Sequence, residues 1–405
     1  MTGHWGALLL FVGAAVGTGD WPQWRGPARD GRAALPTIAR WPKTLTRGWK
    51  ATVGLGHASP VVAGDRVFVF AREGEDEVAS AFDLASGRRL WRQAYAAPYT
   101  MNQAAVSHGP GPKATPVIAG GRLYTLGISG IASCFDAATG AVVWQRTFKE
   151  HRAGSPDYGA AVSPVVDGGR LVLSVGGPGD GSLQSLDPAT GATRWAWKGD
   201  GPGYASPIVA ELEGVRQLVV ETQGQLAGVD AASGAPLWTV PLKTPWDQNA
   251  VTAVVANGLV VYSGLDQGVH AVRPRRQGAR WTAEEAWKND EVSLYMSSPV
   301  LDGTRLFAFS HRKKGEFVCL DLASGRLLWR SEGRQGENAA LVAVGRQLLA
   351  LKDDAELLVL DMDAPAFKPV ATYTVADGAT WAHPVPTARG VLVKDVDSLA
   401  LLRLE

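Results

Sequence analysis

The sequence predicts an all-β fold, a single eight-bladed β-propeller of four-stranded antiparallel blades, and three observations carry that expectation. The first is a motif that returns five times at fixed internal spacing, beginning with Ala81-Phe-Asp-Leu-Ala-Ser-Gly-Arg-Arg-Leu-Trp91. Its aspartates are Asp83, Asp136, Asp187, Asp230 and Asp321, its glycines Gly87, Gly140, Gly191, Gly234 and Gly325, and its tryptophans Trp91, Trp144, Trp195, Trp238 and Trp329. Self-similarity of this kind marks a solenoid, a propeller or an array. The second is a strand opener with proline at Pro60, Pro116, Pro164, Pro207, Pro299 and Pro384, in steps of 56, 48, 43, 92 and 85 residues. The last two steps are nearly doubled, and units without the proline fall inside them at residues 250–262 and 340–351. The third is strand character: runs such as Arg66-Val-Phe-Val-Phe70 are apolar at consecutive positions, which implies burial on both faces.

Each unit supplies an opener, a second strand after a Gly-containing turn, a third ending in the aspartate and a fourth ending in the tryptophan. Four-stranded sheets buried on both faces describe stacked blades, whereas a parallel β-helix repeats over a shorter period. Proline opens the innermost strand, whose channel-side edge needs no ladder donor there. The aspartate is expected to accept backbone N–H bonds in an Asx-type turn, and the glycine to take the left-handed position of the hairpin. The tryptophan packs on the neighbouring blade, where a buried aromatic covers roughly 150–250 Å². The eighth unit, at 381–404, has room for three strands. The segment Arg47-Gly-Trp-Lys-Ala-Thr52 is expected to supply its fourth strand and close the ring. Seven blades is the alternative count.

Composition bounds the function. The chain has 405 residues, 46% hydrophobic and 20% charged, with net charge +1. That length exceeds the roughly 250–300 residues of an ordinary single core but suits one repeat array. Near-neutral charge without a basic stripe gives no field for nucleic acid. Residues 1–17 have the shape of a signal peptide, an apolar run ending in small residues, and no spanning apolar stretch follows. Residues 18–46, rich in Pro, Gly and Trp, are expected to form an ordered coil packing across a face of the propeller, which occupies 47–405. The expectation is a monomeric bacterial protein, periplasmic or secreted, with no transmembrane segment.

The repeat Φ-Asp-x-x-(Ser/Thr)-Gly-x-x-x-Trp resembles the tryptophan-docking repeat of the pyrroloquinoline-quinone-like (PQQ-like) propellers. The opening Trp21-Pro-Gln-Trp-Arg-Gly-Pro27 is similar to the start of many uncharacterised bacterial members. The resemblance implies the fold and leaves activity open, because the family includes quinoprotein dehydrogenases and the propeller lipoprotein of the outer-membrane barrel-assembly machinery. In the dehydrogenase case it implies PQQ against a disulfide of adjacent cysteines, with calcium on Glu, Asn and Asp and a catalytic Asp. This chain has only Cys134 and Cys319, at the same motif position in the second and sixth units. Opposed across an eightfold ring, they lie beyond the ~7 Å Cα reach of a disulfide and read as small buried hydrophobes. The seven histidines show no metal-ligand spacing, and Gly176-Gly-Pro-Gly-Asp-Gly181 reads as a hairpin turn because no helix follows it. The charged stretches 73–77, 273–280 and 311–316 read as solvated tips. The residues therefore offer no catalytic set, no metal site and no support for PQQ with calcium.

Function is sought where the units differ. The segments entering the innermost strands all reach one face around the channel, so residues remote in sequence converge there. Candidates for binding a protein, peptide or small molecule at this mouth are His57, His108, Lys113, Tyr158, Tyr204, Asn249, Tyr295, Asn338, Trp381 and His383. Rings beside amides and charges are the mix of a recognition surface. An insertion at 92–111 places Tyr95, Tyr99 and Asn102 nearby. The function expected is a non-catalytic, exported binding scaffold; the alternative is a quinone-cofactor or metal-dependent oxidoreductase with a non-standard site.

Overall fold

Short apolar runs separated by glycine turns fold as antiparallel meanders whose second and third strands are buried on both faces. In the computed structural model, which describes residues 19–151 and 154–404, the first unit pairs Val61–Ala63, Arg66–Glu73, Asp76–Asp83 and Arg89–Ala96 in that order. The leader assigned to residues 1–17 lies outside the described residues. With this one there are eight such sheets in chain order, at 61–96, 117–147, 165–197, 208–241, 254–289, 300–330, 339–374 and 385–403. The eighth has three strands of its own, and Thr46–Thr52 pairs antiparallel with Ser398–Arg403 as its fourth. The last blade is thereby joined to the chain that enters the first, and the sheet edge is removed.

The repeated motif makes the turn and the contact between blades. Asp83 Oδ1 accepts the Ser86 backbone N–H at 2.8 Å and its hydroxyl at 2.5 Å. Asp136, Asp187, Asp230 and Asp321 accept the equivalent N–H in their own turns. The glycine has two reasons to lack a side chain. At Gly140 φ is +77°, and a Cβ there would stand 2.6 Å from the Trp91 ring. At Gly87 it would stand 2.5 Å from the ring of Trp49. The indole N–H completes three of these docks, from Trp49 to the Leu84 carbonyl (3.0 Å), Trp91 to Ala137 (3.0 Å) and Trp144 to Pro188 (2.9 Å), whereas Trp195 lies over Gly234 with its indole N–H unpaired.

Blade five departs from the pattern. It lacks the motif turn, and its outer strands Gly268–Gln277 and Arg280–Asn289 run on into a long hairpin. Trp238 of blade four therefore has no turn to dock on and donates to Gln217 Oε1 of its own blade at 2.8 Å. Trp287, which stands outside the motif, takes up the docking role over Gly325 and donates to the Leu322 carbonyl at 2.8 Å. The two cysteines are free and buried, and burial pushes their thiols up to about 11 at Cys134 and about 12 at Cys319. Two of the charged tips are only partly solvated, because each runs into a third strand whose early residues face inward. Glu77 is fully buried, accepting the Ile128 N–H at 2.7 Å and the Tyr95 hydroxyl at 2.9 Å; Glu316 is buried likewise.

The N-terminal coil goes deeper than a face of the propeller. Trp21 exchanges both backbone bonds with Val62 at 2.9 Å, and Arg32–Ala33 pairs parallel with Ala343 and Val344 of blade seven. Between these ends the chain fills the channel. Arg25, 1% exposed, donates to the Ser298 and Pro299 carbonyls of blade six, and Arg29, 3% exposed, to Ser163 and Pro164 of blade three. Strand-opening carbonyls point at the axis, and the planar guanidinium fork takes two at once.

Docking and backbone strain are separable by mutation. Gly120 also has positive φ, at +56°, with open space where a Cβ would go. Gly120→Ala is expected to cost roughly 1 kcal/mol from the backbone alone. Gly140→Ala also displaces the Trp91 ring and is expected to cost roughly 2–4 kcal/mol. Urea unfolding of the two variants checks this; equal losses would mean that docking adds nothing.

Candidate functional site at the channel mouth

The segments entering the innermost strands are extended, so neighbouring side chains point in opposite directions. One direction leads to the channel axis, where a cavity of about 130 Å³ opens. Seven of the ten sequence candidates line it: His57, His108, Lys113, Tyr158, Tyr204, Tyr295 and Trp381. They come from the entrances of blades one, two, three, four, six and eight, and Gln248 adds blade five.

Two of these segments are clasped by the next. The His57 and Ala58 N–H groups both donate to the Pro112 carbonyl, at 2.8 and 3.0 Å, and a Cβ on Gly56 would meet that oxygen at 2.7 Å. Tyr204 and Ala205 grip the Asn249 carbonyl in the same way, at 2.8 and 3.0 Å. The insertion forms a short 3₁₀ helix, Gln103–His108, capped by Asn102 and ending on His108. Asn102 Nδ2 also donates to Asp157 Oδ1 at 2.9 Å, tying the insertion to the entrance of blade three. Tyr95 lies apart from the mouth, on the outer strand beside Glu77.

The rings form a belt. Trp381 stacks on His57 with centroids 5.7 Å apart and planes 13° apart, and His108 stands edge-on to both at 5.3 and 5.9 Å. Tyr158 continues edge-on from His108 at 5.4 Å, and Tyr204 from Tyr158 at 5.6 Å. The Tyr295 hydroxyl donates to Gln248 Oε1. Burial pulls the His57 imidazole down to about 3, helped by Lys113, His108 and Lys394 nearby. Burial and Lys113 lower His108 as well. Both histidines are therefore neutral at neutral pH. Burial lowers the Lys113 ammonium to about 8, which leaves it mostly charged at pH 7. Tyr204 and Tyr295 are raised by burial and stay protonated.

Three candidates lie elsewhere. Asn249 is fully buried, its Nδ2 donating to the Thr222, Gln223 and Leu242 carbonyls, so it is a strut between strand ends. Asn338 accepts the Ser297 hydroxyl at 2.6 Å and its own N–H is held by Asp353. His383 is buried beneath the mouth, its ring 4.4 Å from Trp24 of the N-terminal plug. Gln248 was legible by alternation, since it faces opposite to Asn249. Trp24 had no such signal, because nothing local says that a coil enters the channel. Among the described residues no group of three or more His, Cys, Asp or Glu could hold a metal ion.

A family model described as outer membrane protein assembly factor BamB matches residues 74–331. The chain belongs to this family. The BamB of Bordetella pertussis is 26% identical over 374 residues, covering 89% of this chain and 87% of that one. Among solved structures, BamB from Moraxella catarrhalis superposes with a TM-score of 0.62 at 14% identity, over 89% of this chain and 98% of that one. Quinohemoprotein alcohol dehydrogenase from Comamonas testosteroni gives 0.68 at 12% identity, over 96% and 81%. Both are likenesses of fold, shared by a BamB and by a dehydrogenase. Among the described residues no helix is long and apolar enough to cross a membrane.

The buried histidine under the mouth predicts a pH effect. Burial holds His383 down to about 3, against about 6.5 when unfolded. As pH falls, the unfolded chain takes the proton first, so the stability this group supplies is full above about 6.5 and is lost towards 3. Glu77, raised by burial to about 7, works in the opposite sense, its contribution being lost as pH rises through that value. A difference measurement isolates the histidine. Unfolding free energies of wild type and His383→Gln, taken at pH 7.5 and 5.5, should converge on acidification by about 1.4 kcal/mol per pH unit below 6.5. A gap independent of pH would show that His383 titrates alike in both states.

Proposed function

We propose that this protein is a non-catalytic scaffold of the bacterial envelope, an exported single chain that captures a partner at the channel mouth. The observation that carries the reading is convergence: strand entrances from around the ring bring five rings, from Trp381 to Tyr204, into one belt. Apolar side chains stand exposed beside it. Trp246, two residues before Gln248, is 74% exposed, and Val106, two before His108, is 51% exposed. Leu55 and Val396 add to the same rim, the latter through Lys394, whose ammonium bonds both the Val396 and Gly56 carbonyls. An aromatic pocket within an exposed apolar rim is the make-up of a protein-binding surface. Membership of the BamB family and relatives named as outer membrane protein assembly factors support an envelope role. The leader-like residues 1–17 fit export.

The second reading, a quinone-dependent oxidoreductase, is favoured by the likeness to the dehydrogenase fold. The residues do not fit the quinone and calcium pair that it implies. Calcium takes carboxylate and carbonyl oxygens, whereas the cavity is lined by Lys113, two neutral histidines and no carboxylate. The free, separate Cys134 and Cys319 offer no disulfide of adjacent cysteines.

The combined variant Tyr158→Ala, Tyr204→Ala, Trp381→Ala is expected to lose its partners in pull-downs from an envelope fraction while keeping a cooperative thermal transition. Unchanged partners would count against this surface. Titration of the purified chain with PQQ and calcium is expected to give no spectral or thermal shift; a saturable absorbance change would favour the oxidoreductase.

A further inference from the structure

The mouth cavity has a size, a wall geometry and a single charge. Its volume of about 130 Å³ is close to that of a protein cavity of about 150 Å³ that takes benzene. Its walls are rings standing 5.3–5.9 Å from one another, most of them edge-on. Aromatic rings prefer offset or edge-to-face neighbours at about 4.5–7 Å, so such walls are complementary to one more ring.

An aromatic cage by itself favours a cation. Here Lys113 brings an ammonium into the lining and reverses that choice. Its Nζ donates only weakly to the Gly109 carbonyl, at 3.3 Å, and burial rather than any carboxylate sets its pKa. No acidic residue lines the cavity. His57 and His108, neutral, can each donate one ring N–H to an oxygen beside the lysine.

We propose that the cavity receives one aromatic side chain of a partner polypeptide, with a carboxylate next to the ring pairing with Lys113. The inference rests on the scaffold reading above and names the chemistry of what is captured. A polypeptide suits the site better than a free aromatic acid because Trp246, Leu55, Val106 and Val396 offer apolar contact outside the volume that one ring fills.

The test uses the full chain and three heptapeptides blocked at both ends, Gly-Ser-Asp-Phe-Asp-Ser-Gly, Gly-Ser-Lys-Phe-Lys-Ser-Gly and Gly-Ser-Asp-Leu-Asp-Ser-Gly, with phenylacetate as the free acid. Binding is followed by calorimetry and ligand-observed NMR. The acidic phenylalanine peptide is expected to bind saturably and about tenfold or more tighter than the other two. Lys113→Met should weaken it about tenfold, Lys113→Arg should largely restore it, and Trp381→Ala should abolish it. Equal binding of the basic peptide, or an affinity unchanged in Lys113→Met, would overturn the proposal. Binding of phenylacetate while the acidic peptide is silent would overturn the polypeptide source. If the triple alanine variant loses its envelope partners but the peptides show no charge preference, the scaffold reading survives and this inference fails. If that variant keeps its partners, the scaffold reading itself fails.

Discussion

Circumferential closure is the constraint on which the rest of this molecule depends, and it is held at two radii. On the inside, the hydroxyl before five of the six opening prolines accepts a backbone N–H from the preceding blade; His383 stands before the sixth, Pro384. Thr115 Oγ1 accepts from Ser59 at 3.0 Å, and Ser163 Oγ from Thr115, Ser206 Oγ from Ser163 and Ser298 Oγ from Thr252, each at 2.9 Å. Ser59 Oγ closes the circle by accepting from His383 at 2.9 Å. On the outside, tryptophans lie over the turn glycines of the next blade. Each hydrogen bond contributes on the order of 1 kcal/mol, yet in a ring no blade can leave without breaking contacts on both sides. Closure by Thr46–Thr52 makes the first and last blades subject to the same condition.

The inner circle is interrupted where the N-terminal plug takes over. Thr252 Oγ1 accepts the Trp24 indole N–H at 3.0 Å, and Trp24 in turn rests on His383. The plug carries a cost, because Arg25 and Arg29 are buried and donate to backbone carbonyls, with the Asp30 charge only partly offsetting the burial of Arg25. Burial lowers their guanidinium groups to about 10 and about 9. Each Nε is left without a hydrogen-bond partner. What the plug supplies in exchange is a tie across the ring, from blade three to blade six, and a tube converted into a cup. His383 belongs to both parts of that arrangement. It carries the plug on its ring and stands two residues beyond Trp381, so the depth of the mouth is set by the chain that fills the channel below it.

Much of the fold was legible because it is repeated, and repetition exposes structural requirements. Asp83, Gly87 and Trp91 announce a turn and a dock; the unit steps announce eight blades; the orphan Trp49 strand announces closure. The dock of Trp287 was hidden because blade five lacks the turn on which the motif depends, and recognising it needed the neighbour across the interface. The Ser or Thr before five of the opening prolines was in plain view, but its partner is a backbone N–H in another blade, which no local pattern shows. At the mouth, composition identified most of the lining, while the choice between Gln248 and Asn249 turned on which of two adjacent side chains faces the axis. The plug was the least legible part. Trp24, Arg25 and Arg29 read as coil because their partners lie 134 to 274 residues away.

The mouth also differs from the rest of the molecule in what it tolerates. Trp246 is held at φ +59° and Asp247 at +55°, a left-handed conformation that bulky residues rarely adopt. Such backbone costs on the order of 1–3 kcal/mol per residue and persists only where the surroundings impose it. Gly at this position would relieve the strain, and a polar side chain would remove a largely exposed indole from water. The ring of hydroxyls and the tryptophan docks do not involve Trp246. A strained, exposed indole beside a belt of rings makes sense if something covers it. Stability therefore accounts for the positions that repeat and leaves the exposed, strained Trp246 without a structural role of that kind.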